Sequence, residues 1–126
     1  MEFVNLSKYE GVKIPIKSVE VIEAKSNWDK DGQFITGLNR TVLLLRITTE
    51  SIGQNNIKGV ELFNTVQDPQ SSKWGYSIKP NSKIQKLLKR QNVKKPEELV
   101  GTLVTLRVRN HNMPDGKEVD TLGFIY

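Results

Sequence analysis

Only one stretch of this chain carries its apolar residues at helical spacing. Ile84, Leu87 and Leu88 share a face, with lysines on the other side, and Pro80 precedes a cap at Asn81 or Ser82. Every other regular apolar pattern has period two, which restricts the chain to a mainly β fold. In residues 12–24, Val12, Ile14 and Ile16 alternate with polar residues, and then Val19 and Val21 take the opposite phase. A slip of that kind near Ser18 predicts a long strand with a bulge or bend. Pro15 inside it suits an edge position or the bulge itself. The runs RTVLLLRITT (40–49) and IKGVELFNTV (57–66) read as the second and third strands. Beyond the helix, Pro96 opens a short turn whose Glu97 and Glu98 suit a positive helix end. Val104, Leu106 and Val108 then point one way and Thr105, Arg107 and Arg109 the other, and KEVDTLGFIY makes a last strand. The order is five strands with one helix between strands 3 and 4.

At 126 residues the chain can build one core but not two, so residues 1–126 are expected to form a single domain. Its net charge of +5 is unevenly spread. Residues 1–72 carry eight basic and nine acidic side chains, whereas residues 73–109 carry ten basic ones against Glu97 and Glu98, which is +8 in that segment. Such an excess is the electrostatic footprint of a polyanion-binding surface, or else lysines merely keep one helix solvated. Charge alone does not separate the two.

The segment SKIQKLLKRQNVKKPEELVGTLVTLRVRN, Ser82 to Asn110, followed by DGKEVDTLGFIY, resembles one half of the single-strand-binding OB-fold domains of phage, plasmid and archaeal replication proteins. The shared pattern is a lysine- and leucine-rich helix, a short acidic turn at Glu97-Glu98-Leu99, a glycine at Gly101, and two final strands. It covers residues 82–126, about a third of the chain. The resemblance implies a five-stranded OB-like barrel whose bent first strand serves both halves. It also implies a virus- or plasmid-encoded protein that binds single-stranded nucleic acid, DNA ahead of RNA, without sequence preference. The strand would lie across the second and third strands, flanked by the loops at 25–39 and 110–117. The sequence ends in GFIY, without the acidic tail by which many bacterial single-strand-binding proteins recruit partners, so recruitment by that route is not expected.

Candidate contacts follow from the chemistry of such a groove, where bases stack on aromatic faces and basic side chains meet phosphates. Trp28 sits between Ser26-Asn27 and a charged DKDG turn, where a core role is hard to arrange, although a ring packed under its own loop is the alternative. Lys30, Phe34 and Arg40 share that loop, and Phe34 could equally open the second strand. Arg46 stands on the face of strand two opposite Leu43, Leu45 and Ile47. Trp74 and Tyr76 flank Gly75 and so point the same way, either as a second stacking platform or as a seal at the barrel base, with burial of at least one ring expected. Arg107 and Arg109 either contact phosphate or pair across the last hairpin with Glu118 or Asp120. The helix lysines stay solvated and act at long range. Affinity is expected to fall steeply with salt.

Catalysis is poorly supplied. His111 is the one histidine, set in a loop between asparagines without an orienting partner. Asp29, Asp31 and Gln33 start like a calcium loop, but the distal glutamate is replaced by Arg40 and a plain turn is the better reading, with Asp31-Gly32 as its hairpin signal. Neither GxGxxG nor GxxxxGK occurs, and no cysteine is present as nucleophile or thiolate ligand. The expectation is a non-enzyme with no metal, no cofactor and no membrane span. Without a signal-peptide pattern at its start, it is expected in the cytoplasm, a host's if virus-encoded. The second reading is a structural or protein-interaction module, in which an open sheet edge or the apolar LGFIY strand forms a homodimer.

Overall fold

The computed structural model describes residues 5–29, 31–53, 56–68, 70–112 and 116–126. The fold is mainly β. In chain order the elements are β1 (Lys13–Ser26), β2 (Arg40–Thr49), β3 (Val60–Gln67), β4 (Trp74–Tyr76), α1 (Lys83–Arg90), β5 (Leu103–Asn112) and β6 (Glu118–Phe124), with 3₁₀ turns at Leu6–Tyr9 and Pro96–Leu99. All pairings are antiparallel, in one sheet ordered β4-β3-β2-β1-β5-β6.

Two expectations need correction. The sheet has six strands rather than five, because Trp74–Tyr76 pairs with β3 from Thr65↔Tyr76 to Gln67↔Trp74. The helix therefore follows the fourth strand. Trp74 and Tyr76 read as an extended pair on one side, but three residues after a QDPQSS loop are too few to mark a paired strand. Nor is the ladder closed: the sheet is open, with β4 and β6 at its two ends.

The bent first strand is present. Its register shifts between Ile16 and Ser18; before the shift Lys13–Pro15 pairs with β5, and after it Ser18–Ser26 pairs with β2. Pro15 has no N–H to give, but its carbonyl accepts the Glu50 N–H at 2.9 Å. One strand thus belongs to both arms of the sheet and curls them toward each other.

The concave face closes over one core. Ile14, Ile16, Leu45, Ile47, Phe63, Val104, Leu106, Leu122 and Phe124 come from five strands, and α1 adds Ile84, Leu87 and Leu88. Ser82 caps α1, its side chain accepting the Gln85 N–H. Leu87 is fully buried. Leu87→Ala should lower stability by about 2–5 kcal/mol, read as a fall in the urea midpoint at unchanged slope.

Where β3 and β6 pack together, a side chain joins them. The Glu61 carboxylate accepts the Phe124 N–H at 3.1 Å and forms an ion pair with Arg109 at 2.8 Å. Gly123 makes room for it, since a Cβ there would land on the Glu61 carboxylate. Arg109 is held further by the Tyr126 ring, 5.0 Å from its centroid, and that ring packs edge-on against Phe63. This clasp spans the gap that the ladder leaves open.

Candidate nucleic-acid interface

Strand alternation sends Leu45, Ile47 and Thr49 inward, so Val42, Leu44, Arg46 and Thr48 of β2 face outward. On β3 the inward set is Glu61 and Phe63, and the outward set is Val60, Leu62, Asn64 and Val66. Registers Ile22↔Leu44 and Leu44↔Asn64 put these residues side by side on the convex face. At the end of β2 and β3 nearest the β1–β2 connection lies a groove of about 700 Å³, lined by Val42, Leu44, Asn64 and Val66 of the outward phase and by Leu43, Thr65 and Gln67 of the inward one, with Arg40 and Asp68. Trp28 and Trp74 also line it.

The β1–β2 connection is ordered by its own hydrogen bonds. Asp29 Oδ1 accepts the N–H groups of Asp31 and Gln33, and Asn27 accepts from Ile35 and Asn39. That network turns the calcium-like DKDGQ run into an Asx turn. Trp28 is left 54% exposed and Phe34 57% exposed, with their rings edge to face at 5.3 Å. Arg40 Nε donates to the Trp28 carbonyl at 3.1 Å, which ties the strand end to the loop tip. These are not core aromatics.

Burial of at least one of Trp74 and Tyr76 was expected, and both are half-buried. Tyr76 packs against the core and lines a separate hollow of about 370 Å³ with Val19, Val21 and Pro96. Trp74 lines that hollow as well as the groove.

The remaining candidates do not converge there. Arg46 is paired across strands with Glu20 at 2.9 Å, both side chains being exposed, and the Arg46 guanidinium holds the Glu20 carboxyl below its usual range. Arg107 is exposed on β5. Arg109 pairs with Glu61 rather than with Glu118 or Asp120, and faces Thr121 in the β5–β6 register. Lys30 lies outside the described residues. His111 is in β5, not in a loop, with Nε2 2.8 Å from Thr121 Oγ1. Sequence reasoning named the aromatic and Arg40 side of the groove and missed Asn64 and Val66, although their alternation on β3 was there to be read.

No helix among the described residues is long and apolar enough to cross a membrane. No protein-family model matches the chain, and neither a curated protein nor a solved structure matches it.

Proposed function

We propose that the chain is an OB-like module that binds single-stranded nucleic acid, stacking bases against Trp28 and Trp74. Support for the OB-like reading comes from a single helix set between the β1–β4 run and the final β5–β6 hairpin, and from a first strand bent across both arms. The observation that carries the function is the groove itself, in which two tryptophans from distant parts of the sequence border one hollow. Flat rings of this kind suit unstacked bases, each contributing on the order of 1–3 kcal/mol, whereas bases in a duplex are already stacked on each other. Aliphatic Val42, Leu43, Leu44 and Val66 line it beside the amides of Asn64 and Gln67, and stacking on the two rings would accept any base because every base has a flat face. Weak sequence preference follows.

A titration of intrinsic tryptophan fluorescence with oligo-dT and with a duplex of equal charge tests this. Quenching by the single strand and not by the duplex is the expected result, and silence toward both at low salt ends the reading. The protein-interaction alternative draws on Val60, Leu62 and Val66, all exposed on the outer face of β3. It predicts a rise in sedimentation coefficient with concentration, and no quenching.

A further inference from the structure

The groove has a charge problem. Arg40 and Asp68 in its lining cancel each other, and Arg46 is already paired with Glu20. A strand held there would leave its phosphates without counter-charge. Basic side chains collect elsewhere, in a hollow of about 550 Å³ where β3, β5, β6 and the start of α1 meet. Lys58, Lys83, Arg109 and His111 line it, with Glu61 as the lone carboxylate.

That carboxylate is occupied. Glu61 forms its ion pair with Arg109 and accepts the Phe124 N–H, so neither lysine is its salt-bridge partner, although Lys83 feels its charge. Among the described residues Lys58 and Lys83 have no ion-pair partner. Lys83 is moreover the first residue of α1, whose first turn contains no acid. A cation at the positive end of a helix is unfavourable until an anion sits beside it. Arg109 spends its Nη groups on Glu61, Phe124 and Tyr126, so it supplies field rather than new bonds. Lys58 and Lys83 have donors to spare.

The two hollows lie along one strand, β3. Val60 and Leu62 line the cationic one; Asn64 and Val66 line the aromatic one. From Val60 to Val66 along β3 is about 20 Å, a span suited to the short end of the 4–16 nucleotides that one OB fold covers.

We propose that the hollow framed by Lys58, Lys83 and Arg109 is a phosphate-binding site, filled by a phosphate of the same strand whose bases stack at Trp28 and Trp74. The proposal rests on the single-strand reading above. Division of labour follows: aromatic contacts at one end of β3, charge neutralisation at the other.

The test is the double variant Lys58→Gln/Lys83→Gln, titrated with a dT oligomer over a tenfold range of salt beside the wild type and Trp28→Ala. Loss of the one neutralised phosphate should flatten the plot of log K against log salt by roughly 0.7, with the quench at saturation unchanged because both tryptophans remain. A wild-type slope in the double variant, with binding still lost in Trp28→Ala, overturns the phosphate site and leaves the groove standing. If the wild type binds no oligomer, the groove reading falls instead. Inorganic phosphate followed by amide shifts at Thr121, Leu122 and Tyr126 then decides the hollow. Shifts abolished in the double variant uphold it as a site for free phosphate, and absent shifts overturn it.

Discussion

Trp28→Ala/Trp74→Ala is expected to weaken binding of a labelled dT oligomer by at least about thirtyfold, read by fluorescence anisotropy. Each ring is assigned one stacked base, so the pair contributes about 2–6 kcal/mol, and the lower bound alone is more than a tenfold change in Kd. The single variants should each give part of this loss. Trp28 stands more than half exposed, with Phe34 as its ring neighbour, so its removal exposes Phe34 further but opens no cavity in the core. Thermal unfolding of Trp28→Ala should therefore stay close to wild type. An unchanged Kd in the double variant would remove the tryptophans from the binding surface altogether.

Arg109→Met is expected to destabilise the fold by about 3 kcal/mol at pH 7, near the low end for removing one partner of a buried ion pair, because Arg109 keeps some exposure. The cost arises on the other side of the pair. Glu61 is nearly enclosed, and removing Arg109 takes the ion pair from its carboxylate and leaves the hydrogen bond from the Phe124 N–H. Gly123→Ala should fail similarly, since the new methyl group displaces the carboxylate from its seat. Urea unfolding of the three proteins measures both effects, and wild-type midpoints would mean that the clasp does not hold β3 to β6.

The same carboxyl gives the molecule a pH signature. Burial raises the Glu61 pKa above its ordinary 4.5, a rise opposed in part by the Phe124 N–H and by the positive charges of Arg109, Lys83 and Arg107. The folded chain thus keeps this proton at pH values where the unfolded chain has lost it. Stability from this group is accordingly largest below about pH 4.5 and declines as pH rises through the folded pKa. Glu20 and Asp68 behave oppositely, their pKa values lowered by the Arg46 hydrogen bond and by the Gln70 N–H, so what they contribute is lost as pH falls. Thermal melts from pH 4 to 7 should show wild type losing ground to Glu61→Gln as pH rises. A flat difference between the two would mean that Glu61 titrates as it does in the unfolded chain. The Arg109→Met penalty should also shrink toward pH 4.5, because protonation removes the uncompensated charge.

Alternation and helical spacing made most of the fold legible, including the bend. The opposite phases of Ile14-Ile16 and Val19-Val21 require the backbone to change face, and the register shift lies there. The helix was legible because Ile84, Leu87 and Leu88 leave no strand-like alternative. β4 was not, since a three-residue strand centred on a glycine is too short to show a repeat.

The candidate site divides along similar lines. Trp28 was legible as a surface ring because nothing apolar surrounds it in the chain. The grouping of Trp28 with Trp74 was not, since 46 positions separate them and only the β2–β3–β4 ladder brings them to one groove. The arginines show the reverse. Strand phase made Arg107 and Arg109 look equivalent, both outward and both available. A glutamate 48 positions earlier captured Arg109, because the curl of the sheet carries β3 against β6.

Local physics in the sequence therefore determined which segments are strands, where the helix starts, where the first strand bends and which side of each strand is apolar. These depend on neighbours two to four residues apart. Tertiary structure alone decided the sixth strand, the Glu61 clasp across the open ladder, and the separation of an aromatic groove from a cationic hollow along β3. Those depend on how far a twisted sheet curls, a sum over every pairing that no single segment records.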